Sequence, residues 1–560
     1  MKAHKNADLL LLILLFAWWI LNLIQAAFTG LANDEAYYWT YARELDWGYF
    51  DHPPMTALLV RLGDFIGGEL GIRAFTTILQ PLYLYILWLL IRPESPSNKD
   101  ALLFAIICFA MPILQLYGFV AVPDAPLMMF SALFLWAYNR FCKSDSWENI
   151  VLLGISMVLL AYSKYHGALV VFFTILSNLK ILLKPKFYLS CLITITLYTP
   201  HFIWQYNHDW SSFHYHLSGR NGHFHWSYIS EFWINLILVF NPFYVPLYFK
   251  GFNKGHYADA PVQRALYTIT VGFITFFTLS SLRGYVQPQW VIPITFGLVM
   301  IIFGWTHNKE RARRYVMRVG CCFAGLILIV RLIVIFNPFN IKFELFNNEE
   351  SYKAINKVAD GRTVIFRNYW SPSKYKFYTG GEAYCQPNIN YRSSQWMYFD
   401  DDRRATGSDV ILELYDCYKY ADSCIELANG KTFSWITIPD FHPVREIDIE
   451  ILNDIPKTVA HGDTIKFQTT IKNPYEYDVN ISKKDNALKI VWGVNKEFFK
   501  EYHIDVEPFT VPAGSSIKKD FEFVIPDNLS KPKYRMGFII KNGRMLSWFN
   551  SDEYKIKIEK

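Results

Sequence analysis

Two adjacent carboxylates, Asp34 and Glu35, follow the first apolar run of the chain, within Asn33-Asp34-Glu35-Ala36-Tyr37-Tyr38-Trp39. A carboxylate held where a chain leaves a bilayer can take the proton of a hydroxyl as that oxygen attacks a lipid-anchored substrate. Asp34 is the candidate base, with Glu35 beside it. The same residues suit a helix start, with Asn33 as the cap and the two acids in the first turn, where the helix dipole favours anions. In Asp51-His52-Pro53-Pro54, His52 could hold a phosphate or a metal, and Asp51 also suits the cap of a helix that the prolines begin.

Further along, Asp124 lies in Val122-Pro123-Asp124-Ala125-Pro126, as a helix cap or as an ionisable group at membrane depth, which is a functional hypothesis by default. Lys164 and His166 lie in Tyr162-Ser163-Lys164-Tyr165-His166, and Arg283, Tyr285 and Gln289 in Arg283-Gly284-Tyr285-Val286-Gln287-Pro288-Gln289-Trp290. Lys164 and Arg283 could neutralise a phosphate leaving group, the arginine bidentately and the lysine as a point charge; each could instead snorkel to the headgroups. Histidines crowd the stretch from His201 to His225 without an acidic third ligand at recognisable spacing, and Trp204, Trp210 and Trp226 among them fit an interfacial belt.

These residues must be positioned by membrane spans. At 52% hydrophobic over 560 residues, with long runs nearly free of charge, the chain cannot be one water-soluble core. About eleven spans are predicted, near 8–28, 73–91, 101–118, 125–141, 149–163, 167–183, 187–204, 231–249, 265–281, 289–306 and 317–336. The first reads as an uncleaved span rather than a signal peptide, because more spans follow. With the amino terminus in the cytoplasm, the basic loops from Lys2 and Lys5 to Arg311, Arg313, Arg314 and Arg318 alternate in the positive-inside pattern. The candidate residues then gather on the extracytoplasmic face of the cell inner membrane. The net charge of +6 reports this topology rather than a nucleic-acid partner.

In the first outer loop, Ala36 to Leu45 and Pro54 to Ile66 are expected to form short helices, the second amphipathic and lying in the interface. The domain reading is a membrane domain over 1–340, a small extracytoplasmic α/β domain over 341–442 and a β-sandwich over 443–560. Strands are expected over Thr363 to Asn368, Asp409 to Tyr415, Thr464 to Ile471, Leu488 to Val494 and Ile517 to Val524, with a helical turn over Ser373 to Tyr378. Cys385, Cys417 and Cys424 fall in this outer part, where one disulfide with one thiol left over is expected and the pairing stays open.

The ordered set of motifs, from Asp34-Glu35 and Gly48-Tyr49-Phe50-Asp51-His52-Pro53-Pro54 through Val122-Pro123-Asp124-Ala125-Pro126 and Ser163-Lys164-Tyr165 to Gln287-Pro288-Gln289-Trp290, resembles the bacterial branch of the dolichyl-phosphate-mannose protein mannosyltransferase superfamily, which is related to the lipid A aminoarabinose transferases. The resemblance covers roughly the first 340 residues. It implies a polytopic GT-C glycosyltransferase with a polyprenyl-phosphate sugar as donor, inverting transfer, and membrane lipids as surroundings. Asp34 then corresponds to the catalytic carboxylate of the first outer loop and Asp124 to the acidic residue of the second. Where the aminoarabinose transferases have Glu-Lys before the paired prolines, this chain has Asp51-His52, so that a phosphate role for His52 depends on its protonation near a pKa of about 6.5. The acceptor, whether glycan, lipid or protein, is left open, as is a divalent metal; no metal ligands are assigned. Two other readings stay open: a carrier or flippase of lipid-linked saccharides, and a membrane-anchored binding module.

Overall fold

The computed structural model describes residues 2–217, 224–254, 260–385, 393–415, 417, 421–482, 486–494, 497–542 and 549–559. They form two compact units, 1–347 and 348–560. His223 lies outside the described residues.

The first unit is helical: α1 (Lys2–Phe28), α2 (Asn33–Arg43), α3 (Met55–Gly63), α4 (Gly68–Ile91), α5 (Asn98–Phe109), α6 (Pro112–Leu116), α7 (Asp124–Lys143), α8 (Trp147–Ser163), α9 (Gly167–Leu176), α10 (Pro185–Asn207), α11 (Ser211–Leu217), α12 (Trp226–Val239), α13 (Val245–Lys254), α14 (Pro261–Ser281), α15 (Ile294–Thr306) and α16 (Glu310–Phe336). Among the described residues, α1, α4, α10, α14 and α16 are long and apolar enough to cross a membrane, and α12 with α13 adds a sixth span bent by 87°. The remaining expected spans correspond to shorter apolar helices such as α8, α9 and α15, or to α7, whose one face is buried.

The single span predicted over 101–118 is broken between α5 and α6. Pro112 has no N–H to continue the ladder, which frees carbonyls that a membrane interior cannot leave bare. Gln115 Nε2 donates to the Phe109 carbonyl at 2.6 Å and Asn241 Nδ2 to that of Ala110 at 3.0 Å. Asn241 is also the bend between α12 and α13, with φ of 72°. The core is aromatic. Trp88 meets Phe104 and Phe303 edge to face, while its N–H donates to Asp8 Oδ1 at 2.8 Å and Arg92 pairs with the same carboxylate.

Beyond α2, the helix expected over Pro54 to Ile66 is α3 followed by a 3₁₀ turn over Asp64–Ile66. Met55 packs against Val158 and Tyr162 of α8, whereas Leu58, Leu62 and Phe65 are exposed, as an interfacial helix requires.

In the second unit, α17 (Asn348–Ala359), α18 (Ser371–Thr379) and α19 (Asp401–Arg404) accompany β1 (Thr363–Phe366), β2 (Ala383–Cys385), β3 (Ser408–Leu414), β4 (Ser423–Glu426) and β5 (Thr432–Phe441). These strands form one sheet of order β2-β1-β3-β5-β4, with β1 parallel to both neighbours. Cys417 and Cys424 form a disulfide across the β3–β4 connection, leaving Cys385 as a buried thiol. The chain continues through β6 (Asp448–Ile451), β7 (Thr458–Ala460), β8 (Thr464–Lys472), β9 (Val479–Ile481), β10 (Asn486–Val494), β11 (Glu497–His503), β12 (Phe509–Val511), β13 (Ser516–Val524), β14 (Lys533–Asn542) and β15 (Tyr554–Glu559). A three-stranded sheet β13-β8-β6 and a larger one centred on β10-β14 share a core. Alternation in β8 turns Ile465, Phe467 and Ile471 inward, where Phe467 meets Phe538 at 5.0 Å.

A bidentate pair joins α19 to the chain entering β6: Arg445 donates to Asp402 at 2.8 and 3.0 Å and to the Met397 carbonyl at 2.8 Å. Asp402→Ala removes the bidentate partner and leaves Glu446, whose Oε1 accepts Arg445 Nη2 at 3.0 Å, as the counter-charge. The expected loss is about 1.5–3 kcal/mol, read as a lowered midpoint for the second unit in denaturant unfolding of the full-length protein.

Candidate active site at one end of the helical unit

Asp34 lies in the first turn of α2 and is exposed. The cap of this helix is Ala32, not Asn33 as the spacing suggested, and Asn33 instead donates to Glu344 Oε2 at 2.5 Å. Glu35 closes the helix start by accepting the Ala32 N–H through Oε2 at 3.0 Å. The side chain of Glu35 is fully buried against Arg73 of α4, whose Nε donates to Oε1 at 2.7 Å and Nη2 to Oε2 at 2.5 Å. Arg73 also donates to the carbonyls of Ala26, Thr29 and Gly30, so each of its five N–H groups is engaged. Glu35 Oε1 further accepts the Ala121 N–H at 2.8 Å. Neighbours in sequence, Asp34 and Glu35 therefore have different tasks: the acid three residues past the cap turns into the protein, and the one before it faces outward.

Asp124 begins α7 and is buried, as is Lys164 at the end of α8; Lys164 Nζ donates to Asp124 Oδ1 at 2.7 Å. Asp34 and Asp124 interact as like charges, and Tyr117 feels both. Asp124 and Lys164 are thus joined directly, the Ala121 N–H three residues before Asp124 is tied to Glu35, and Asp34 is near enough for its charge to act on Asp124 and Tyr117. Because Lys164 is engaged by Asp124, its charge reaches a ligand as part of a pair. What remains at the surface is one exposed carboxylate.

Asp51 does not cap α3, whose cap is Pro54. Its Oδ1 accepts the Tyr41 hydroxyl at 2.5 Å and its carbonyl oxygen lies 2.8 Å from His216 Nε2. His52 faces the rings of Tyr38 and His216 at 5.4 and 6.1 Å. This loop is held to α10 and α11. His201 Nδ1 lies 2.7 Å from the Trp47 carbonyl and must donate to it, so Nε2 accepts the Tyr165 hydroxyl at 3.1 Å. Gln205 donates to Tyr165 and to Ser212, and Ser212 to the Tyr49 carbonyl. Gly48 is required here, since a Cβ would stand 2.5 Å from the Trp204 ring.

His166 stacks on Phe277 and leans on Trp290, whose indole N–H shares the Gln287 side-chain oxygen with Gln289 Nε2, each at 3.0 Å. Arg283 is exposed and forms no ion pair among the described residues, and the exposed Tyr285 sets its ring edge to face against that of Tyr228, 6.4 Å between centroids. No described contact ties Arg283, Tyr285 or Gln289 to the carboxylates. Sequence reasoning missed Arg73 and also Arg331, buried within α16. The signal was present in both cases: a basic residue inside an otherwise apolar helix marks a polar partner in the membrane.

The helical unit defined by these elements has the GT-C membrane fold. ArnT from Cupriavidus metallidurans in the apo state aligns with a TM-score of 0.55 and 12% identity, over 72% of this chain and 92% of its own. The same protein bound to undecaprenyl phosphate gives 0.56 and 12%, over 76% of this chain and 97% of its own. Residues 51–204 match the family model for dolichyl-phosphate-mannose-protein mannosyltransferase. The chain thus has a polytopic membrane fold like that of ArnT, and over residues 51–204 it is similar to the mannosyltransferase family. No curated protein sequence matches it significantly.

The two acids separate experimentally. Glu35→Gln removes the charge that balances a fully buried guanidinium and is expected to cost about 3–5 kcal/mol. Asp34→Asn, on an exposed side chain, is expected to change stability by less than about 0.5 kcal/mol. Thermal unfolding of both variants in detergent checks the contrast.

Proposed function

We propose that this protein is an inverting glycosyltransferase that moves a sugar from a polyprenyl-phosphate donor to an acceptor hydroxyl or phosphate of a glycan, lipid or protein, on the extracytoplasmic face. The observation that carries the reading is the exposed Asp34 standing beside the buried Asp124–Lys164 pair in a unit of GT-C fold. An ArnT structure of the same fold holds undecaprenyl phosphate, which supports the donor class. The side of the membrane is supported by the positive-inside pattern and by the Cys417–Cys424 disulfide, a bond that persists in oxidising compartments.

In this reading Asp34 accepts the acceptor proton as the acceptor oxygen bonds to the anomeric carbon. The bond from that carbon to the phosphate oxygen breaks on the opposite side, and polyprenyl phosphate leaves with the electron pair. Asp124 orients Lys164 toward the developing charge, and Arg283, exposed and without an ion partner among the described residues, meets the phosphate bidentately. His52, Asp51, His166, Tyr285 and Gln289 are assigned in this reading to substrate binding, and Glu35 acts through position rather than proton transfer.

Purified protein supplied with a radiolabelled polyprenyl-phosphate sugar and envelope acceptor is expected to transfer label. Asp34→Asn abolishes this transfer, and Arg283→Ala lowers it by roughly 10²–10³-fold. Turnover at the wild-type rate in Asp34→Asn excludes the base assignment. Translocation of the lipid between liposome leaflets without any sugar transfer would replace the enzyme by a carrier.

A further inference from the structure

Arg331 sits five residues from the end of α16, in the last apolar helix of the unit, and is 5% exposed. No carboxylate meets it among the described residues. Its guanidinium is instead met by neutral acceptors: Leu21 O at 3.2 Å, Asn22 Oδ1 at 3.0 Å, Gln25 Oε1 at 3.2 Å and Gln115 Oε1 at 3.0 Å. Burying a cation in this way costs free energy, and the cost is met only where several well-aligned hydrogen bonds converge. A lone structural helix contact would be made more cheaply by a leucine.

What the four bonds accomplish is visible in the segment from Leu114 to Ala121, which leads into Asp124. Gln115 is held by Arg331, and the Leu114 carbonyl accepts Gln80 Nε2 at 2.5 Å. Gln80 Oε1 in turn accepts Asn22 Nδ2 at 2.6 Å, so its amide is fixed at both ends. Gly118 rests on that amide so closely that a Cβ would stand 2.4 Å from Gln80 Oε1. Phe119 has two guanidinium groups near its ring, Arg73 at 5.6 Å and Arg331 at 5.8 Å from the ring centre, distances at which cation–π attraction operates. The Ala121 N–H then closes on Glu35. The segment is thus held at Leu114, Gln115, Gly118, Phe119 and Ala121.

We infer that Arg331 is a positioning residue for the carboxylate site: with Arg73 it holds Phe119 and, through Gln115, sets the path of residues 114–121 and hence the placement of Asp124 relative to Asp34. The transfer part of this inference rests on the glycosyltransferase reading, whereas the conformational part does not. Misplacing reacting groups by about 1 Å from a distance can cost on the order of 10²-fold in rate.

The test pairs Arg331→Lys, which keeps the charge but not the planar fork, with Phe119→Leu, which keeps apolar volume but removes the ring. Amide hydrogen exchange of residues 117–122 in the full-length protein in detergent reads the segment directly. Exchange there is expected to accelerate at least tenfold in both variants, while α15 stays protected. In the transfer assay, kcat is expected to fall by roughly 10²-fold with the KM for the lipid donor unchanged, and the two substitutions combined do no more than either alone. Unchanged exchange at 117–122, a loss expressed in KM, or additive losses would each overturn the inference. Should Arg331→Lys fail to fold, Phe119→Leu alone decides it by the same exchange and kcat criteria. If the wild-type protein transfers no sugar, the functional reading fails and the exchange result still stands or falls alone.

Discussion

The structure of the helical unit turns on the ion pair between Arg73 and Glu35. It lies entirely out of solvent, and its guanidinium reaches the end of α1, the start of α2 and the top of α4 at once, while Glu35 reaches forward to Ala121. A buried pair of this kind gives little net stability over a well-packed apolar alternative, because desolvation offsets the Coulomb attraction. Its value is directional. Five N–H donors in a rigid plane and a carboxylate that accepts from three groups admit one arrangement of the segments they join.

That arrangement divides labour among carboxylates which look equivalent in the sequence. Glu35 is consumed by Arg73, and Asp124 is neutralised by Lys164 in a dry setting. Asp34 alone stays in contact with water, one helical position from a residue with the opposite fate. An adjacent position on a helix points about 100° away, which is sufficient to put one acid in the protein and the other at its surface.

A second constraint comes from lipid. Irregular backbone is tolerated at membrane depth only where its polar groups are satisfied within the protein. The break between α5 and α6 meets this condition through Gln115 and Asn241, and the same Gln115 accepts from Arg331. The break is thus the device by which the chain leaves a regular helix and enters the segment that carries Tyr117 and Asp124.

Much of this was legible from residues in order. Apolar runs located the helices because a bilayer demands about 20 such residues per crossing, and period-two alternation located strands such as β8 and β13, because one face of each is buried. The sequence also supplied the candidate acids and bases. It could not say that Ala32 rather than Asn33 is the cap, that Lys164 belongs to Asp124, that Cys417 pairs with Cys424, or that α5 ends at Phe109. Three of these depend on a partner distant in the chain: Glu344, 311 residues from Asn33; Lys164, 40 residues from Asp124; Asn241, 131 residues from Ala110. Periodicity reports the environment a residue needs, so the sequence by itself determined which segments are apolar enough for a membrane and which residue types are available for chemistry. Which carboxylate is exposed and which is paired was decided only when packing brought Arg73, Lys164 and Arg331 to their partners, since the energy of a charge depends on its neighbours in space.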